Sequence, residues 1–272
     1  MLDICINRIG NDGFDKLIKS KNFPKLCDIR LSKNQIQEEG AKQLMYSCNL
    51  DNLSKLGLRG NHFGPKGCQY LQIYALRNLT HLNLSGNAIG DEGVRNLAQA
   101  SYMRNLKDLY LDENVLTDHA AVAIAESPHL NKLTVLSLGY NQIKGEGAAA
   151  LASSENIANL THLWLQNNKI KEEGMQALSM SDHLSNLEHL DVSQCDIGDV
   201  GVQVLALSSK RKLKFLNLSH NKIGEHGYKM LAMSENMPLL TEIRIYDGNA
   251  NSTEAKNALR RAKCLPALRH IQ

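Results

Sequence analysis

LTHLWLQNNKIKEEGMQALSMS, residues 160–181, is a near copy of LTHLNLSGNAIGDEGVRNLAQA at 79–100. Each copy opens on leucines that alternate with other residues and then passes into a stretch of helical spacing. Alternation puts the leucines on one face of a short strand and the intervening residues on the other. The string L-x-x-L-x-L-x-x-N closes on Asn34, Asn61, Asn87, Asn114, Asn141, Asn168, Cys195 and Asn221, in steps of 26 or 27 residues. One further step back lands on Asn7, so the first unit begins inside the frame at Leu2. A further strand, LTEIRI at 240–245, has Gly248 where the asparagine is expected.

A chain with such a period cannot bury its leucines within one unit and does so by stacking unit on unit. The closing Asn side chain can satisfy backbone groups where the chain leaves the strand, which gives a ladder of asparagines along the stack. Acidic residues crowd the start of the helical half (Glu38 and Glu39, Asp91 and Glu92, Glu172 and Glu173), beside the positive end of a helix. Gly40, Gly67, Gly93, Gly147, Gly174, Gly201 and Gly227 share one helix position, where a small residue is expected to let the helix lie close to the strands. Segment 247–272 reads as a cap helix, started by Ser252 or Thr253 and running to about Lys263, then a frayed partial unit. No polar cap precedes Leu2, so either the N-terminus lies upstream or something covers that edge.

The frame, including the exchange of Asn for Cys at Cys195, resembles the leucine-rich repeat family, and the helical I-x-x-x-G-x-x-x-L half resembles its ribonuclease-inhibitor-like class. The resemblance implies an α/β fold, a single solenoid or horseshoe over 1–272, with parallel strands on the concave face and helices on the convex face. It also implies a non-enzymatic protein-binding module that grips a folded partner, as an inhibitor or regulator covering an enzyme's active site. The bare array with free cysteines is similar to leucine-rich repeat effectors that intracellular bacteria deliver into host cytosol. Two alternatives come from other relatives: a regulator of a GTPase, and the substrate-receptor arm of a ubiquitin ligase, which needs an adaptor-binding domain that these residues do not include.

Composition narrows the classes. Net charge is +3, and the basic runs are as short as Lys210-Arg211-Lys212, which reads as a solvated loop face, so no nucleic-acid partner is expected. No apolar block reaches the ~18 residues of a membrane helix, and MLDICINRIG lacks the layout of a signal peptide. The six cysteines have no paired spacing, and the sequons at Asn83 and Asn217 fall inside expected strands, where a glycan would disrupt pairing. Together these point to free thiols and a cytoplasmic setting, and to a monomer that needs no cofactor. Phosphate loops, zinc spacings and nucleophile elbows are absent from the sequence.

With the leucines committed to the core, recognition falls to the outward columns. Aromatics are only 5% of the chain, yet Tyr110, Tyr140, Trp164 and Phe215 gather with Val135 in the middle and late units. Asp108, Asp112, His162, Gln166, His189 and Asp191 surround them. Exposed aromatics within a polar rim have the composition of a binding hot spot, and these eleven residues form the expected partner site. His162, His189 and Asp191 also satisfy a two-His-one-carboxylate composition, but polar lining of a binding face is the expectation.

Overall fold

The computed structural model describes residues 1–23, 25–47, 50–73, 76–246 and 252–272. The chain divides into two compact units, Met1–Ser137 and Leu138–Gln272. In the first, strands β1 (Leu2–Asp3), β2 (Asp28–Arg30), β3 (Lys55–Gly57), β4 (His81–Asn83), β5 (Asp108–Tyr110) and β6 (Val135–Ser137) alternate with helices α1 (Gly10–Ile18), α2 (Glu38–Lys42), α3 (Gly64–Ile73), α4 (Gly90–Ala98) and α5 (Asp118–Ala125). The second holds α6 (Gly145–Ala152), β7 (His162–Trp164), α7 (Lys171–Met180), β8 (His189–Asp191), α8 (Gly198–Leu207), β9 (Phe215–Asn217), α9 (Glu225–Ala232), β10 (Glu242–Arg244), α10 (Ser252–Arg260) and β11 (His270–Ile271). Within each unit consecutive strands pair parallel with no gap in register, so Leu56 faces Leu82 and Leu163 faces Leu190. Each unit is thus a stretch of α/β leucine-rich repeat solenoid.

The leucines of the frame form the core. Leu56, Leu58, Leu82, Leu84, Leu109 and Leu111 are buried in the first unit, and Leu163, Leu165, Leu190, Val192, Leu216 and Leu218 in the second. The asparagine ladder forms as expected. Asn61 Oδ1 accepts from the backbone N–H groups of Asn34 and Ile36, both at 3.0 Å, while its Nδ2 donates to the Leu31 and Leu58 carbonyls. Each such side chain therefore ties its own turn to the preceding one. Acids of the first helical turn add a second tie. Asp91 accepts from Thr117 N and Oγ1, and Asp199 accepts from Gly224 N, in each case from the following repeat.

Four expectations are corrected. Gly40, Gly93, Gly174, Gly201 and Gly227 face the preceding helix rather than the strands. A Cβ on Gly174 would come within 3.0 Å of Ala148 Cβ, and one on Gly201 within 3.3 Å of Met175. Lys210 is not solvated: it is only 3% exposed, and its Nζ donates to the Ser181 carbonyl at 2.8 Å. Its aliphatic stem fills the space under the loop while the ammonium takes the carbonyl. The final partial unit is not frayed, since β11 pairs parallel with β10. The cap helix also ends at Arg260 rather than Lys263, because the chain turns there to bury Leu265. Gly248, and the side chains of Ser252 and Thr253, lie outside the described residues.

Candidate functional site

On the strand face of the second unit, parallel register places His162 beside His189 and His189 beside Phe215. Strands lie about 4.8 Å apart, close to the spacing at which flat rings stack. The His162 and His189 rings are nearly coplanar in orientation, 8° apart, with centroids at 4.2 Å. His189 stacks on Phe215 at 5.6 Å, and Trp164 leans on His162 at 5.7 Å. Beyond Phe215 the Arg244 guanidinium sits 4.9 Å from the ring centroid, a cation–π contact that closes the row. The result is a continuous ladder of Trp164, His162, His189, Phe215 and Arg244 across four strands, all but Arg244 half-buried.

Hydrogen bonds set the polar edge of that ladder. Thr161 Oγ1 lies 2.8 Å from His162 Nδ1 and fixes the ring's plane. Asp191 accepts from Asn217 Nδ2 at 2.8 Å and from Ser193 N and Oγ. Arg244 is held by Glu242 at 2.9 Å. Burial keeps the His189 imidazole below its ordinary value, with Glu188 and Glu242 pulling it back up and Lys214 pushing it down. Stacked rings present faces to each other and direct their nitrogens elsewhere. Among the described residues no group of three or more His, Cys, Asp or Glu is placed to hold a metal.

The remaining expected residues are dispersed. Tyr140 is off the strand face. It occupies the turn before Asn141 with φ of 55°, and it is 50% exposed. Gln166 lies over Gly139, where a Cβ would run into its amide. In the first unit Val135 is half-buried opposite Asp108, and Asp108 is engaged by His81 Nε2 at 2.7 Å. Asp112 accepts from Ser85 Oγ and Ser137 Oγ. Burial raises the Tyr110 phenol, and Asp108 and Asp112 raise it further, so it stays neutral. The sequence reading missed Arg244. Its signal was available, because the register that pairs Phe215 with Glu242 leaves Arg244, two residues further along the same face, within reach of the ring.

Five segments, 75–98, 129–152, 156–179, 183–206 and 209–232, match the model of the family described as Leucine Rich repeat. This chain is built of leucine-rich repeats. Among curated proteins the human NACHT, LRR and PYD domains-containing protein 5 is 34% identical over 87 residues, which is 30% of this chain and 7% of that protein's length. Among solved structures, one from the crystal structure of the yeast Rad7 and Elc1 complex aligns over 96% of this chain and 71% of its own, with TM-score 0.56 and 15% identity, a likeness of fold. No helix among the described residues is long and apolar enough to cross a membrane. Cys5, Cys27, Cys68, Cys195 and Cys264 are free thiols, and Cys48 lies outside the described residues.

Proposed function

We propose that this leucine-rich repeat protein is a non-enzymatic binding module whose strand face grips a folded protein, with the ladder from Trp164 to Arg244 as the anchor. The observation that carries this reading is the ladder itself. Stacking fixes the rings in advance, so a partner binds them at little cost in side-chain freedom. A row of half-buried rings edged by Asp191 and Glu242 matches the make-up of an interface centre, where aromatic and Arg anchors dominate the energy.

The test is affinity capture with the wild-type chain, Trp164→Ala, and Val200→Ala on the helix layer, followed by mass spectrometry. A partner retained by Val200→Ala and lost by Trp164→Ala supports the reading; a partner lost only by the helix-layer variant overturns it. The partner's own activity, assayed with and without the chain, then separates occlusion of an active site from recruitment.

A further inference from the structure

The strand face of the first unit has a notch. Its middle outward column runs Asp3, Arg30, Gly57, Asn83, Tyr110, and the missing side chain at Gly57 leaves a hollow of about 340 Å³. Arg30 and Asn83 flank the glycine across the parallel ladder, and Lys55 and His81 line one side. The cations here are not spent as those elsewhere are. Arg59 is hydrogen-bonded to Glu113 at 2.9 Å, Arg244 to Glu242 at 2.9 Å and Lys214 to Glu188 at 2.7 Å. Arg30, by contrast, approaches Asp28 at 3.7 Å and Asp3 at 3.9 Å, beyond hydrogen-bond reach, which leaves its N–H groups open. Lys55 is exposed, and its ammonium has no ion-pair or hydrogen-bond partner among the described residues.

We propose that this hollow receives one carboxylate of the protein partner, an aspartate or glutamate side chain, with Arg30 and Lys55 as its two donors. The planar guanidinium fork fits a carboxylate, and Lys55 adds a point charge from the next strand. Charge selects a monoanion. The residues that line the hollow set Arg30 and Lys55 against Asp28, a net of one positive charge, with Asp3 and Asp108 lying beyond the lining. Asp3, Asp28 and Asp108 close by oppose any anion, and a dianionic phosphate more than a carboxylate. The proposal deepens the binding reading above and rests on the strand face being the side that meets protein.

The experiment titrates the full chain with the blocked pentapeptide acetyl-Gly-Gly-Glu-Gly-Gly-amide, with its Gln counterpart and with inorganic phosphate, following backbone amide shifts. The Glu peptide is expected to shift Arg30, Lys55 and Gly57 saturably, and the Gln peptide to bind about fivefold more weakly. Lys55→Gln should weaken the Glu peptide by about the same factor. Gly57→Leu should abolish the shifts; its Cβ meets nothing closer than 3.6 Å, and a melting curve taken beside the titration checks that the variant is folded. Equal binding of the Glu and Gln peptides, tighter binding of phosphate, or shifts centred elsewhere would overturn the proposal. Trp164 lies in the other unit, so its variant tests the anchor separately. Peptide failure with intact Trp164-dependent capture removes the notch alone. Peptide binding with capture indifferent to Trp164 removes the ladder alone.

Discussion

The repeat is set by one residue per turn, the closing asparagine. Asn87 is buried, accepts from Phe63 N at 3.2 Å and donates to the Leu58, Leu84 and Ser85 carbonyls. Asn87→Ala leaves those groups unmet inside the protein and should cost about 2–4 kcal/mol in urea unfolding; a cost below about 1 kcal/mol would make the ladder incidental. Cys195 keeps both halves of this arrangement with a weaker group, since the Asn168 and Asn167 backbones also hydrogen-bond to its sulfur. Its Sγ reaches the Leu165 and Ser193 carbonyls at 3.2 and 3.4 Å, and burial pushes its thiol up to about 12, so it remains a weak neutral donor. Cys195→Asn should therefore stabilise the chain by about 0.5–1.5 kcal/mol. The residue before each closing position was not legible. Lys33, Gly60, Gly86, Glu113, Tyr140, Asn167, Gln194 and His220 all have positive φ. Glycine announces that conformation at two of these eight positions only, and the side chains at the others hide it.

Among the elements, helix spacing is fixed by close approach at Gly174 and Gly201, and loop anchoring by a buried lysine. The sequence marked the glycine row correctly but not its neighbour, because a period shows that a position is constrained without showing by what. Lys210 illustrates the opposite failure: a basic run reads as solvent-facing until the loop's packing is seen. Burial draws its ammonium from the ordinary 10.5 down to about 8, with Asp182 opposing. Below pH 8 both folded and unfolded chains hold the proton and the cost of burial is undiminished. Between about 8 and 10.4 the unfolded chain holds more protons, so stability rises with pH. Lys210→Met should flatten that rise in unfolding curves taken from pH 7.5 to 10; an unchanged slope would mean that the ammonium is better solvated than its 3% exposure indicates.

At the scale of the molecule, the fold was legible because the period repeats the same instruction in every turn, whereas the site depends on residues that differ from turn to turn. Outward columns were readable from alternation, so Trp164, His162, His189 and Phe215 could be placed on one face. Their ring-to-ring geometry could not, since it depends on strand spacing and rotamers. Tyr140 is exposed but lies in the turn before Asn141, outside those columns, a distinction that aromatic composition alone does not carry. The ladder makes two separable demands. Protonating His189 against its burial is unfavourable, so below about pH 6.5 the unfolded chain takes up a proton that the folded chain resists, and stability falls with falling pH. His189→Phe keeps a ring in the stack and should remove that share of the acid sensitivity in melting curves from pH 7.5 to 5. Trp164 tests recognition rather than folding. Its ring leans on His162 while the leucines on either side carry the core. Trp164→Ala should shift stability by about 1 kcal/mol or less, against about 2–5 kcal/mol for Leu163→Ala. If the ladder is the anchor, the same tryptophan change should weaken the captured partner by about 2 kcal/mol, roughly thirtyfold. Melting and affinity measured side by side decide between roles: unfolding by Trp164→Ala would make the ring structural, and full stability with full affinity would move the interface off this face.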